Sequence, residues 1–518
     1  MYNEDVWGEW VVRESKNYRV IDGKQKYLQK GYLHFDNRFW FPERIEELKA
    51  LIANGLVSTD GYWAFSPFIK ILVKSPRFRW QEEIKQYELE TKIRPICFAA
   101  HKDSLILSYY AFALARKYED YIERSCRANN ILGLSDSILA YRPSRGKNNI
   151  QFAKEVFDAV KKHGTCSAIA LDIKGYFDHL DHGILKKNWI KILGEGLPKD
   201  QYRIYKVLTK YSYVSSKSLL KKYRPNPKRE EAMPTKYLDI VPGNTTHEKF
   251  EHLRQSRLVV TNDKPERRGI PQGSPMSSVL SNIYLVEFDE DLCSKAQEEG
   301  FLYRRYCDDI LIVCATEKAD ELKKYITDKI SSEDFNLEIQ DRKVELIDFR
   351  PNSRGIIRAF KRAKTDKSKP VQTNETNEKF YYKSLQYLGF EYNGRSILIR
   401  PSSLSKYFRK MKRRLTKSVL MAYGRGEKSD KVHLRQILER YSHFGRRNFL
   451  TYAYKAASAQ YKNSKGEIKE GMNSEAIRRQ LRRHIGVMQH ELNKKNEQRF
   501  KYKSYKGKKP MHKEVTLQ

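Results

Sequence analysis

Apolar residues recur along this chain with two different periods, and the switches between them mark out its elements. In PERIEELKALIANGL they return every three to four residues, which predicts a helix ending near Gly55. SPFIKILVKS and KIRPICFA are instead rich in branched and aromatic residues and flank a polar stretch, the pattern of a basic β-hairpin. Helical spacing resumes in DSLILSYYAFALARKYEDYIERSC, opened by Asp103, and in NIQFAKEVFDAVKKHG, opened by Asn148 and Asn149 and stopped by Gly164. SAIALDIKGYF follows directly as a strand, and FLYRRYCDDILIVCA reads as two short strands, 303–306 and 310–314, joined by a tight turn. In RGIPQGSPMSSVLSNIYL a Pro-Gln-Gly turn leads into a helix with Ser274 as cap, Pro275 at its first position, and Met276, Val279, Ile283 and Val286 as its stripe. Segments 211–268 and 364–379 are polar and irregular and are expected to be insertions or mobile loops.

The C-terminal part is helical throughout by the same criterion. Leu404, Phe408, Met411, Leu415 and Val419 form one stripe, with Lys406, Arg409, Lys410, Arg413, Arg414 and Lys417 on the other face. Ile477, Leu481, Ile485, Met488 and Leu492 form a second, beside Arg478, Arg479, Arg482 and Arg483, with Ser474 as its cap. Val432, Leu434, Leu438 and Tyr441 suggest a third helix between them. The stretch KNEQRFKYKSYKGKKP, with Tyr502 and Tyr505 among its lysines, is expected to be a flexible tail that contacts nucleic acid.

Charge turns this pattern into a function class. The 518 residues carry a formal +36, and residues 401–518 hold 31 Lys and Arg against 9 Asp and Glu, so +22 of the excess lies in the last 118 residues. A basic face on three successive helices predicts a phosphate-binding surface. An anionic membrane is the other partner such charge could meet, but the apolar stripes are needed for mutual packing and no lipidation motif is visible. No apolar run approaches the ~18 residues of a membrane span. Six cysteines, none at C-x-x-C spacing, predict neither a disulfide framework nor a zinc site, and with the acidic, Trp-bearing start MYNEDVWGEW the expectation is a cytoplasmic protein.

The candidate chemistry lies in three carboxylates. SAIALD ends on Asp172, and Asp308 and Asp309 sit between the two apolar runs of the later hairpin. Adjacent acids in an apolar hairpin are costly unless cations pair them. An Asp-Asp pair alone is an ordinary turn feature; three carboxylates on one sheet edge are the ligands for two Mg²⁺ ions about 3.5–4 Å apart. That is the minimum machinery of nucleotidyl transfer.

Taken in order, KIRPI, LDIKGYF, GIPQGSP, YCDD, LEIQDRKVELIDF and YLGFEY resemble the fingers, palm and primer-grip motifs of reverse transcriptases, from about residue 65 to 395. In particular they resemble bacterial enzymes related to group II intron, retron and abortive-infection or defence-associated reverse transcriptases. The resemblance implies that Asp172 and Asp308 are metal ligands with Asp309 the third acid, and that Ile173 adds its backbone carbonyl. It implies that Lys92 and Arg94 clamp the triphosphate, that Gln272 and Gly273 contact the incoming nucleotide and template, and that Lys343 protonates the pyrophosphate. Phe177 would pack under the sugar and reject a 2′-hydroxyl, and Tyr387, Leu388, Gly389 and Phe390 would form the primer grip. His179 and His182, close to Asp172, read as surface residues without metal-ligand company.

Absences narrow the resemblance. There is no C-terminal Cys/His cluster of the intron-protein nuclease kind and no Val-Thr-Gly triplet of the retron thumb, and SPMSSVLSN replaces the usual second Ser-Pro. The defence-associated group fits best, which implies a cognate non-coding RNA as template and a role against phage. The expected fold is α+β: a right-hand polymerase with an N-terminal extension (1–60), fingers (61–165), an antiparallel-sheet palm (166–400), and an α-helical basic thumb and extension (401–518). Arg413, Arg414, Arg478 and Arg482 are expected to hold RNA. The expected reaction is RNA-directed DNA synthesis from deoxynucleoside triphosphates with two Mg²⁺, or Mn²⁺ in their place. Template-independent or protein-primed DNA synthesis, RNA-templated RNA synthesis, and an RNA-binding scaffold with an inactive palm are the alternatives. Primer, protein partner and oligomeric state are unmarked.

Overall fold

The computed structural model describes residues 2–15, 18–21, 24–27, 31–38, 41–58, 63–81, 84, 86–226, 234–262, 266–361, 382–423, 432 and 434–505. The chain divides into two compact units: Met1–Arg142, Leu171–Ile310 and Lys323–Lys343 form the first, and Pro143–Ala170, Leu311–Leu322 and Val344–Gln518 the second. The division runs through strands, at Ala170/Leu171 within Cys166–Asp172 and at Ile310/Leu311 within Asp309–Cys314. Both belong to a five-stranded sheet in the order Ile357–Lys361, Glu345–Pro351, Cys166–Asp172, Asp309–Cys314, Leu302–Tyr306. The first three pair antiparallel. CSAIALD and DILIVC lack the hydrophobic–polar alternation of a half-exposed strand because they are central and buried on both faces.

In the first unit the expected hairpin is long: Phe68–Gln81 pairs antiparallel with Gln86–Phe98 over thirteen residue pairs. Segment 211–268 corrects the expectation of an irregular insertion. Ser212–Ser215 runs parallel beside the start of Phe68–Gln81 and pairs antiparallel with Val259–Thr261, and the helices Ser216–Tyr223 and Thr246–Gln255 fill the interval. Val214, Leu219, Tyr237, Leu238, Val241 and Leu253 close on Phe35 and Ile69 as one core. These apolar residues come in ones and twos between polar stretches, so no sustained period advertises them; the side chains of Ser215 and Thr245 start the two helices by accepting from Ser218 N and Glu248 N. Segment 364–379 lies outside the described residues.

The helix expected from Asp103 starts at His101 and runs to Ala128. Asp103 is buried in its first turn, where it accepts hydrogen bonds from Ser66 N at 2.9 Å and Trp63 Nε1 at 3.2 Å. Ahead of it, Trp7 and Trp10 of the N-terminal helix Glu4–Ser15 pack on Tyr109, with ring centroids 5.6 and 5.8 Å away.

In the second unit Asn148 caps Asn149–His163, its own N–H donating back to Gln151 Oε1 at 3.1 Å, and Gly164, at φ +70°, ends the helix. The three basic helices form as expected, over Pro401–Tyr423, Arg435–Tyr441 and, for the last stripe, two pieces, Glu475–Leu481 and His484–Tyr505. Met411, Leu415, Val419, Ile437, Met488 and Leu492 share one buried core. The expected flexible tail is therefore helical as far as Tyr505, where the description ends. All six cysteines are free thiols. Among the described residues no helix is long and apolar enough to cross a membrane.

Burial pushes the Asp103 carboxyl up to about 7, its two hydrogen-bond donors opposing the shift. A carboxyl raised by folding binds its proton more tightly in the folded state, so its contribution is full below about pH 4 and is lost as the pH rises through about 7. The expected outcome is that Asp103→Asn gains in melting temperature relative to the parent between pH 5 and pH 8; an unchanged difference would mean that the buried carboxylate is ionised at both.

Candidate active site

Four segments of the first unit converge on one pair of carboxylates. The Cys166–Asp172 strand delivers Asp172 at its end, and the turn between Leu302–Tyr306 and Asp309–Cys314 delivers Asp308. A bond from Ile173 N to Asp308 O, at 3.0 Å, ties the two segments together, and Gln340 N bonds Asp172 O at 2.8 Å from the other side. Lys343, in the short turn of 3-10 helix that follows, makes an ion pair with Asp172 Oδ1. Asp308 is pushed above the usual carboxylate range, first by burial and then by the Asp172 charge, while Lys343 and Lys92 pull it down. Thus Lys92, from the Gln86–Phe98 strand, already acts on this pair.

The remaining sequence-derived residues take several different positions. Arg94 is two residues from Lys92 on the same strand, hence on the same face, and is exposed. Gln272 O accepts from Cys97 N at 2.8 Å, which fastens the Pro-Gln-Gly turn to that strand. Gly273 then passes so close that an added Cβ would stand 2.9 Å from Cys97 O, and its φ of +114° is one that side-chain-bearing residues rarely adopt. The helix after the turn corrects the expected cap: it spans Ser277–Tyr284, because Ser274 and Pro275 are spent in the turn, where Ser277 Oγ donates to Pro271 O at 2.7 Å. Its stripe is buried as expected. Phe177 is half-buried in the short helix Tyr176–His179, its carbonyl accepting from Ile270 N at 2.9 Å. Asp309 is exposed at the first position of its strand. Among the described residues no group of three or more Asp, Glu, His or Cys is arranged to hold a metal ion, so Asp172 and Asp308 meet but the expected third acid is not gathered with them. His182, expected on the surface, is buried with Nε2 2.9 Å from Gly269 O, because its ring secures the loop before the Pro-Gln-Gly turn; His179 is exposed as expected.

Two groups belong to the second unit. Tyr387 and Phe390 face each other across a two-residue turn whose Leu388 and Gly389 both have positive φ, +45° and +92°. Arg413 is exposed, Arg414 donates to Gln436 Oε1 at 3.0 Å, and Arg478 and Arg482 line a cavity apart from them.

Sequence reasoning missed what holds the Asp308 turn. Arg305, fully buried, makes a two-pronged ion pair with the equally buried Asp289 and donates to Cys307 O at 3.1 Å; Tyr303 Oη also donates to Asp289, at 2.6 Å. Arg305 O accepts from Leu139 N at 2.9 Å. Cys307 is thereby kept at φ +58°, with Asp308 immediately after it. Strand alternation was the available signal: Tyr303 and Arg305 share a face, and a charge on an inward face demands a partner.

Residues 231–392 match the family described as reverse transcriptase (RNA-dependent DNA polymerase). The chain carries a reverse transcriptase domain. The match takes in Gln272, Asp308, Lys343 and residues 387–390, while Asp172 and the Lys92 strand lie ahead of it. The mixture of helices and antiparallel sheets is the fold class of reverse transcriptases. No curated protein matches the chain. Among solved structures, apo telomerase from Candida tropicalis truncated from its C-terminal domain aligns at TM-score 0.35 and 10% identity, over 69% of this chain and 60% of that one. Telomerase from Candida albicans, with a TWJ fragment of telomeric RNA, aligns at 0.34 and 10%, over 95% and 65%. The chain spans under two thirds of the length of either telomerase.

Three substitutions test this scaffold of the reverse transcriptase domain. Asp289→Ala strands a buried guanidinium and is expected to destabilise the protein by about 3–5 kcal/mol in denaturant unfolding. Asp291→Ala, which removes the half-exposed partner of Lys329, should cost about 1 kcal/mol or less. Gly273→Ala should cost about 1–3 kcal/mol by the same measurement, from strained φ and the contact with Cys97 O.

Proposed function

We propose that the chain is an RNA-directed DNA polymerase that extends a 3′ end or priming hydroxyl with deoxynucleotides, copying a bound non-coding RNA in antiphage defence. The observation that carries the catalytic reading is the approach of Asp172 and Asp308, each on its own segment, with Asp308 raised by its neighbour's charge. Two carboxylates that repel each other are a hard-oxygen donor set suited to a divalent cation. Asp172 and Asp308, with the Ile173 carbonyl, would hold Mg²⁺ or Mn²⁺, which when bound supplies activation of the attacking 3′-hydroxyl and charge neutralisation at the leaving pyrophosphate.

The chain's own residues do the rest. Lys92 and Arg94, on one strand face, hold the triphosphate by charge-assisted bonds. The Gln272–Gly273 turn, pressed against that same strand, sets where the nucleotide can lie. Phe177 excludes a 2′-hydroxyl by bulk, and Lys343, already the counter-charge of Asp172, donates a proton to the departing pyrophosphate. The hairpin of Tyr387, Leu388, Gly389 and Phe390 holds the primer end. Fingers to about 165, a palm from 166 to 400 and a thumb beyond are the corresponding division. The defence role rests on the motif resemblance and on the absence of intron-nuclease and retron signatures.

Purified protein, with the RNA it retains, incubated with divalent metal and labelled nucleotides provides the test. Incorporation of deoxynucleotides only, in products complementary to that RNA, is expected; Asp172→Asn and Asp308→Asn should each lower it at least about a hundredfold, since even outer-shell partners of metal ligands cost that much. Product unrelated to the RNA, or shifted in mobility by proteinase, would replace this reading by untemplated or protein-primed synthesis. Retained RNA without product under any nucleotide would favour the scaffold. Phe177→Ala is expected to admit ribonucleotides, measured as the ratio of ribo- to deoxynucleotide incorporation. Loss of phage resistance in cells carrying Asp308→Asn checks the defence role.

A further inference from the structure

The second unit contains a cavity of about 620 Å³ lined by His443, Tyr454, Arg478, Arg479, Arg482 and His484, with Glu475 the one acid on its wall. Its construction is rigid where it matters. Ile477 and Leu481 are fully buried, Ser474 Oγ donates to Ile397 O at 2.6 Å, and Gln480 exchanges bonds of 2.8 and 3.2 Å with the backbone of Ile399. One side of the Glu475–Leu481 helix is therefore fastened down, and helical spacing turns Arg478, Arg479 and Arg482 to the other. His484 is 3% exposed, its Nδ1 2.7 Å from Leu481 O and its Nε2 3.2 Å from His443 Nδ1. It opens the 22-residue helix His484–Tyr505, so the positive end of that helix lies at the cavity as well.

We infer that this cavity is a binding site for the 5′-phosphorylated terminus of RNA. The inference rests on the reading that the chain binds RNA and names a part of that RNA. Three guanidiniums against one carboxylate leave the wall at +2; Glu475 reaches only Arg479, at 3.8 Å, and Arg478 and Arg482 have no carboxylate partner among the described residues. A phosphodiester inside a strand carries one negative charge, whereas a terminal phosphate carries about −1.5 to −2 and so matches the excess charge of this wall more fully. Guanidinium forks bind such an oxygen-rich group bidentately. Phe444, 67% exposed, lies tilted beside His443 with centroids 4.1 Å apart and offers a face for the first base, as unpaired RNA ends require.

The test compares one single-stranded RNA bearing a 5′-hydroxyl, 5′-monophosphate or 5′-triphosphate, by fluorescence anisotropy with the full-length protein. The phosphorylated forms are expected to bind at least about tenfold tighter, the size of one charge-assisted contact. That ratio should fall to about one in Arg478→Gln/Arg482→Gln and shrink in His443→Gln. Arg413→Gln, outside the cavity, should weaken all three RNAs alike and leave the ratio standing. Equal binding of the three RNAs by the parent, or a ratio that survives in the cavity variants, would overturn the site while leaving RNA binding intact. An equal gain for a 5′-phosphorylated DNA of the same sequence would overturn the assignment to RNA. No binding of any RNA would remove the reading on which the site rests.

Discussion

A buried guanidinium is among the most expensive groups a protein can enclose, and the reverse transcriptase domain is organised around one. Arg305 lies between Asp289, Tyr303 and Cys307 with no access to water, and its backbone carbonyl receives Leu139 N. Desolvating such a pair offsets most of what its attraction returns, so its net stabilisation is small, but removing one partner is severe. What it supplies is uniqueness of arrangement. The strand carrying Arg305 has one register in which its guanidinium makes four hydrogen bonds, and that register leaves Cys307 left-handed and Asp308 beside Asp172.

The same reasoning explains why the active-site acids sit so close. Asp308 would be driven from Asp172 were the turn free to relax, and it is held by bonds made several residues earlier. Lys343 and Lys92 temper the repulsion without abolishing it. On the other strand, Gln272 and Gly273 are joined to Cys97 by backbone alone, so the spacing between that turn and Lys92 depends on no side chain that could swing away. The C-terminal helices show the complementary strategy: Met411, Leu415, Val419, Met488 and Leu492 supply cohesion inside, which frees the outer faces for charge.

Elements with a strong period were readable from the sequence to within a few residues: the long hairpin, the helix closed by Gly164, the basic stripes. Asp172 and Asp308 were legible because each ends or interrupts an apolar run that would be pure strand without it. What escaped depends on partners distant in sequence. Residues 211–268 fold on Phe35 and Ile69, which lie well over a hundred residues earlier, and their own polarity conceals it. His182 looked like a surface histidine because its acceptor, the Gly269 carbonyl, is 87 residues away. The start of the Ser277–Tyr284 helix was misjudged because Ser-Pro serves equally as a cap or as a turn, and the bond from Ser277 to Pro271 decides for the turn. Asp309 carries the same charge as Asp308, yet one step along the strand reverses the face on which a side chain stands.

The boundary between the two compact units has a consequence for biosynthesis. The chain crosses it five times, and two crossings lie inside strands of one sheet. Neither unit corresponds to a continuous stretch of message: the first is incomplete until Lys343 has emerged from the ribosome. No single cut of the gene separates the two units, and a cut between residues 143 and 343 leaves parts of both in each fragment. Expressing one unit by itself, or exchanging it with that of a relative, will therefore require several simultaneous joints.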